Sequence, residues 1–89
     1  MRVIEEWSQD DMRLQVFVMN GRYSLKVEAY LLEQVYKFRD GQIQDLPHLK
    51  SLLDDNFYDA CKKRFIHMEL TRASLFKNEN EKPTFEEII

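Results

Sequence analysis

The sequence predicts an α+β domain in which a four-stranded antiparallel β-meander is packed on one face by a short helix and a long C-terminal helix. Three observations support this class: two alternating runs around Asn20-Gly21, a further strand-like run that stops at Asp40-Gly41, and a helical pattern after Asp54. An Asn-Gly pair between alternating runs favours a β-hairpin, because both residues tolerate the positive φ angles of a type I′ turn.

The predicted strands lie at about residues 2–7, 12–20, 22–29 and 32–39, and the predicted helices at about 46–53 and 55–77. A two-residue turn at Asn20-Gly21 places Met19 opposite Arg22 and Arg13 opposite Glu28. One face of this hairpin then carries its apolar residues, which are Leu14, Val16, Val18, Tyr23, Leu25 and Val27. A slip of one residue would turn all of them to the other face, so the pattern specifies the register.

The outer strands have less distinctive turns. A four-residue loop at residues 8–11 is expected before the second strand, and a tight turn near Ala29-Tyr30 before the fourth. The opposite pairs that follow are Trp7 with Met12, Glu6 with Arg13, Lys26 with Glu33, and Tyr23 with Tyr36. A helix across residues 28–38 is the rival interpretation, because Glu, Ala, Leu and Gln are good helix formers. The alternation at residues 35–38 favours the strand.

Each predicted helix begins after a capping aspartate. Asp45 precedes the short helix, with Pro47 in its first turn, and Asp54 precedes the long one. The apolar residues of the long helix fall within an arc of about 160°, which suits a helix lying on a sheet. They are Phe57, Ala60, Cys61, Phe65, Met68, Leu75 and Phe76.

Charge divides the chain of 89 residues into a body at 1–77 and an acidic tail at 78–89, which is expected to be flexible. The tail holds four acidic residues and one basic residue, and the body holds 12 of each. A neutral body lacks the positive field that sequence-independent binding of nucleic acid needs, so no nucleic-acid partner is expected.

Several classes of site and segment are not expected. No apolar run resembles a signal peptide or reaches the length of about 20 residues that spans a membrane, which favours a cytoplasmic protein with no membrane partner. Cys61 is the single cysteine and lies on the apolar arc, where a structural role is expected. His48 and His67 lack metal-ligand spacing, and Lys62-Lys63-Arg64 suits a solvated helix surface. No catalytic, cofactor or metal site and no internal repeat is predicted.

Exposed apolar residues are the most informative feature for function. We expect Phe17, Met19, Val35 and Ile4 on the outer face of the sheet, and Ile66 and Leu70 on the back of the long helix. Apolar clusters on the surface of a small domain often mark an interface. The predicted function is a small non-enzymatic protein–protein interaction module that self-associates through the outer face of the sheet or a strand edge, for example as a homodimer. The alternative is a small-molecule-binding protein or minor enzyme with a pocket near Tyr23, Tyr36, His48 and Cys61.

The run from Met1 to Phe76 resembles a group of short, uncharacterised bacterial proteins with a β-meander followed by a helix. The motifs that carry the resemblance are Met1-Arg2-Val3-Ile4, Gln15-Val16-Phe17, Asn20-Gly21-Arg22, Leu32-Glu33-Gln34-Val35-Tyr36-Lys37-Phe38 and Leu52-Leu53-Asp54-Asp55-Asn56-Phe57. The group has no assigned activity, so the resemblance implies a fold and a bacterial source but no chemistry.

Overall fold

The sheet is an open antiparallel meander in the order β1-β2-β3-β4, seen in a computed structural model that describes residues 2–77. The elements are β1 (Arg2–Gln9), β2 (Met12–Met19), β3 (Arg22–Ala29), β4 (Leu32–Lys37), α1 (Leu46–Leu52) and α2 (Asp55–Ser74). The predicted α+β class is therefore confirmed. Residues 32–37 form the strand β4 and not the alternative helix across residues 28–38. The tail predicted at residues 78–89 lies outside the described residues.

The core forms where the inner face of the sheet meets the two helices. β2 and β3 supply its centre, because Val16 lies directly opposite Leu25 and Leu14 opposite Val27. From the helices, Leu49, Cys61 and Phe65 pack against these strand residues and are buried with them. The alternating pattern thus predicted the buried face of the central hairpin correctly.

The register between β2 and β3 agrees with the prediction at every pair, from Met19 opposite Arg22 to Arg13 opposite Glu28. The Asn20-Gly21 turn has positive φ angles of 54° and 78°, as the residue types predict. At the far end of the hairpin, the guanidinium of Arg13 lies 3.6 Å from a carboxylate oxygen of Glu28.

The predicted registers of β1 and β4 are wrong by two residues. β1 and β2 are joined by the two-residue turn Asp10-Asp11 rather than a four-residue loop, so Trp7 faces Leu14 instead of Met12. β3 and β4 are joined by Tyr30-Leu31, so Tyr36 faces Leu25 instead of Tyr23. Because side chains alternate with a period of two, an error of two residues does not by itself move a side chain to the other face. Ile4, at an irregularity in β1, is an exception with a different cause.

The predicted ion pairs survive this change of register. Arg13 still binds Glu6, and Lys26 Nζ lies 3.8 Å from Glu33 Oε2, although neither pair is directly opposite. Each pair is instead a diagonal one, which is within reach of long side chains.

The turns recur every ten residues, at 10–11, 20–21 and 30–31, and each of the first three strands has eight residues. The spacing of strands and turns therefore repeats, although the residue types show no internal repeat and none was expected. It gives three successive hairpins with two-residue turns, of which only the second carries an Asn-Gly pair.

Both helices begin at the predicted caps. Asp45 Oδ1 accepts a hydrogen bond from the backbone N–H of His48 at 2.9 Å, and Asp54 Oδ1 accepts one from Phe57 at the same distance. These bonds satisfy N–H groups that the first turn of a helix leaves without intrahelical partners. No helix among residues 2–77 combines the length and the apolar character needed to cross a membrane.

Only the first half of α2 is covered by the sheet. Cys61 and Phe65 are buried, whereas Leu75 and Phe76, which were predicted on the same core-facing arc, are exposed. The prediction is wrong for these two residues because helical periodicity fixes the direction of a side chain but not whether a sheet lies beneath it. The second half of α2 instead lies beside the Tyr30-Leu31 turn.

Candidate interaction surfaces

Ile4 does not lie with Phe17 on the outer face of the sheet, as was expected. The register of β1 shifts at an irregularity between Val3 and Glu5, which gives Ile4 no opposite residue on β2. Its side chain is partly buried and packs against the core. A β-bulge re-aims a side chain in this way, so Ile4 is removed from the candidate interface.

The outer face of the sheet carries Phe17, Met19 and Val35, as predicted, but their apolar surface is divided. Met19 and Val35 are each about half exposed. Val3 lies opposite Phe17 and adds to its side of the face, whereas Val35 lies opposite Lys26. The ammonium of Lys26 is 5.6 Å from the centre of the Phe17 ring, a cation–π contact that lies between the two sides.

Ion pairs occupy the end of the outer face nearer the Asp10-Asp11 turn. Arg13 binds Glu6 and Glu28, and Lys26 lies beside Glu33. The hydrogen bond from Arg13 lowers the pKa of Glu6. This end of the face is therefore a polar network, and Val3, Phe17 and Met19 lie toward the Asn20-Gly21 turn.

Ile66 and Leu70 lie on a more exposed surface, with 59% and 64% of their area accessible. They line a groove of about 450 Å³, together with Tyr30, Phe65 and Glu69. We call this set of five residues the α2 groove. The groove extends from the exposed Ile66 and Leu70 to Tyr30 and to Phe65, which belongs to the core.

The Tyr30-Leu31 turn lies next to the α2 groove and has an unfavourable backbone. Both residues have positive φ angles, 55° and 62°, although neither is glycine, asparagine or aspartate. Such a conformation costs about 1–2 kcal/mol per residue, because Cβ approaches the following carbonyl oxygen. The side chain of Leu31 is 93% exposed, so no burial of its own compensates for this cost.

Contacts from elsewhere in the chain hold the turn. The guanidinium of Arg72 donates to the carbonyl oxygens of Tyr30 and Leu31, at 2.9 Å and 3.2 Å. Glu69 accepts a further hydrogen bond from Arg72 and orients it. The hydroxyl of Tyr30 donates to Asp11 at 2.9 Å, and this bond raises the pKa of Tyr30.

The Tyr30 ring also anchors the turn to the helix, because it meets the Phe65 ring edge-on at 6.3 Å between centroids. The turn, α2 and the first hairpin are thus tied together at one end of the sheet, where Lys62 of α2 also forms an ion pair with Asp10. The result is a fixed surface on which Leu31 projects beside the α2 groove.

Two of the four residues predicted to line the alternative small-molecule pocket, Tyr36 and Cys61, belong to one hydrogen-bonded cluster. Tyr36 donates to Gln34 Oε1 at 2.7 Å, its hydroxyl lies 3.9 Å from Cys61 Sγ, and Gln34 donates to the Cys61 carbonyl at 2.9 Å. Burial raises the pKa of both Tyr36 and the Cys61 thiol. His48 is engaged in the cap of α1, where its Nδ1 accepts from the backbone of Gln44 at 3.0 Å. Tyr36, Cys61 and His48 thus each have hydrogen-bond partners among the described residues.

Within residues 2–77, no three or more His, Cys, Asp or Glu side chains come together as metal ligands. Comparison with protein-family models, with curated proteins and with solved structures finds no match to the chain. The resemblance to the group of short bacterial proteins stays a prediction, and the geometry of the surfaces carries the functional argument.

Proposed function

We propose that the protein is a non-enzymatic protein–protein interaction module that binds a second copy of itself through the α2 groove and Leu31. The observation that carries the proposal is the projecting, fully exposed Leu31 in a strained turn. Backbone strain persists where surrounding structure enforces it, and it clusters at binding and switch sites. Here Arg72, which belongs to α2, holds the turn in this conformation through its hydrogen bonds to both carbonyl oxygens.

A second copy suits this surface because the projection and the groove lie side by side. In a two-fold symmetric dimer, both copies use the same surface patch. A contact from one residue of the first copy to a second residue of its partner is then also made in the reverse direction. Leu31 of each copy would then enter the α2 groove of the other, against Ile66 and Leu70. This would remove from water three apolar side chains, Leu31, Ile66 and Leu70, that are each more than half exposed.

The charges beside the groove are compatible with two copies meeting. Glu69 and Arg72 are bonded to each other, and Lys62 to Asp10, so each copy presents paired charges rather than a field of one sign. The outer face of the sheet supports self-association less well, because Lys26 and the Arg13 network interrupt its apolar surface.

Sedimentation of the full chain at about 0.5 M salt tests the proposal, because screening at that ionic strength weakens ionic contacts and leaves apolar ones. The wild type is expected to sediment as a dimer, and Leu31→Gly and Leu70→Lys as monomers. Leu31→Gly relieves strain, so its loss of association could not be attributed to unfolding.

The matched control is Met19→Lys, which makes the same kind of apolar-to-basic change on the outer face of the sheet. It is expected to leave the dimer intact. A monomeric wild type would contradict the proposal, and so would dimers of both Leu31→Gly and Leu70→Lys. Dissociation by Met19→Lys alone would move the interface to the outer face.

A further inference from the structure

A second concave surface lies on the outer face of the sheet, at the end near the Asn20-Gly21 turn. It has a volume of about 230 Å³ and is lined by Phe17, Met19, Arg22, Ser24, Lys37 and Phe38. We call this set of residues the basic pocket. It is on the opposite face of the sheet from α2, and toward the opposite end of the strands from Tyr30-Leu31.

The charges of the basic pocket are uncompensated within the part of the chain that the structure describes. Arg22 and Lys37 form no ion pair with any residue of 2–77, whereas Arg13 and Lys26 on the same face do. Phe17 and Met19, on the neighbouring strand β2, provide apolar surface beside these two bases. A segment that fits must therefore combine acidic side chains with an apolar one, because each kind of group alone would leave part of the pocket unsatisfied.

The chain itself contains a segment with this chemistry. Residues 78–89 hold four acidic residues against one lysine, and three large apolar residues, which are Phe85, Ile88 and Ile89. Glu86 and Glu87 lie between them, so acidic and apolar groups alternate over a short stretch. We propose that the basic pocket binds residues 78–89 of a second copy, with the glutamates at Arg22 and Lys37 and Phe85 against Phe17 and Met19.

A second copy fits better than the pocket's own chain. Phe85 lies eight positions after Lys77, and a fully extended chain over eight steps spans at most about 28 Å. The eight residues of β3 span about 24 Å from the end beside Arg72 to the end beside the pocket. The segment would also have to pass around an edge of the sheet, because α2 packs on the other face. Residues 78–89 of a second copy would reach the pocket from solvent and would not have to pass around the sheet.

Transfer of magnetic relaxation between two copies tests this contact. A nitroxide is attached to the thiol introduced by Thr84→Cys, since the thiol of Cys61 is fully buried. This chain is mixed with an equal amount of ¹⁵N-labelled chain that carries no nitroxide. Both chains also carry Leu31→Gly, which disables the α2 groove contact, so the result is independent of the proposed function.

The amide signals of Phe17, Ser24 and Lys37 in the labelled chain are expected to broaden, and to recover when ascorbate reduces the nitroxide. At about 0.5 M salt, where the screening length is roughly 4 Å, most of the broadening should disappear. Broadening at Ile66 and Leu70 instead would place the segment on α2 and overturn the proposal. An absence of broadening in the mixed sample would also overturn it.

Charge exchange provides the matched controls. Arg22→Glu with Lys37→Glu is expected to weaken the contact about tenfold, since two exposed ionic contacts together correspond to about one factor of ten. Glu86→Lys with Glu87→Lys should do the same, and the four changes together should restore binding. Lys63→Glu with Arg64→Glu alters charge equally on α2 and should have no effect. If the variant with all four changes does not restore binding, the proposed pairing of Glu86 and Glu87 with Arg22 and Lys37 is contradicted.

Discussion

The turns at Asn20-Gly21 and Tyr30-Leu31 have the same length and the same left-handed backbone, yet different parts of the molecule impose that backbone. In the first turn the residue types suffice, because asparagine and glycine adopt positive φ angles readily. In the second turn a tyrosine and a leucine adopt them, and Arg72, 41 residues from Leu31 along the chain, binds both of their carbonyl oxygens.

The comparison separates a turn determined locally from one determined by tertiary contacts. A local turn can form as soon as its own residues meet, whereas the Tyr30-Leu31 turn depends on α2 being in place. The strained turn also carries an exposed leucine, and this combination is why we propose a binding surface at that end of the sheet.

Replacement of Arg72 should have the largest effect on this comparison. Arg72→Ala removes two charge-assisted hydrogen bonds to the strained turn and leaves the Asn20-Gly21 turn untouched. We expect the free energy of unfolding to fall by about 2 kcal/mol, measured by urea denaturation at a concentration where the chain is monomeric.

Two controls sharpen this prediction. Lys63→Ala removes an exposed base from the same helix and should change stability by less than about 0.5 kcal/mol. In a Leu31→Gly background, Arg72→Ala should cost less than in the wild type, because the turn then needs less support. Equal costs in the two backgrounds would show that Arg72 does not act through the turn.

Exchange of residue types between the turns should have the next largest effect. Leu31→Gly should raise the free energy of unfolding of the monomer by up to about 1 kcal/mol, since glycine adopts a φ of 62° without strain and Leu31 buries little surface. Gly21→Leu, where φ is 78°, should lower it by about 1–2 kcal/mol. Thermal unfolding of both variants measures the pair. If Leu31→Gly destabilises the monomer, the turn is not strained as described.

The smallest effect should come from titration of Tyr30. The bond to Asp11 raises the pKa of Tyr30 above its usual value of 10.0, so the folded state favours the protonated phenol. Its contribution to stability is therefore complete below pH 10 and is lost as the pH rises through the higher pKa of the folded state. Tyr30→Phe should remove that part of the alkaline loss of stability.

Denaturation of both chains between pH 8 and pH 12 measures the effect of Tyr30→Phe as a difference. Tyr36 and Cys61, whose pKa values are also raised, contribute equally to the two chains and cancel. Parallel stability curves above pH 10 would contradict a role for the Tyr30 hydroxyl in holding the turn.

The same contrast explains how much of the fold the sequence predicted. The β2–β3 register was correct throughout because Asn20-Gly21 marks its turn, and the errors for β1 and β4 arose at turns without glycine. Those errors were of two residues, because a shift of one would have reversed an alternating face. The pattern of residues therefore constrained the faces more tightly than the loop lengths.

The candidate surface was predicted in part. Ile66 and Leu70 were identified as unpartnered apolar residues of α2, but Tyr30 and Leu31 were not identified, because nothing in their residue types indicates a positive φ angle. The ten-residue spacing from Asp10-Asp11 to Asn20-Gly21 was the one available signal, since its continuation falls on Tyr30-Leu31. Ile4 was misplaced because a bulge is not visible in an alternating pattern.

The bulge in β1 has a consequence beyond the position of Ile4. β1 is an outermost strand of an open sheet, and its free backbone groups would otherwise offer a regular ladder to a strand of another molecule. The interruption between Val3 and Glu5 breaks that ladder near its start. Edge-to-edge addition of strands from other molecules is thereby disfavoured along β1.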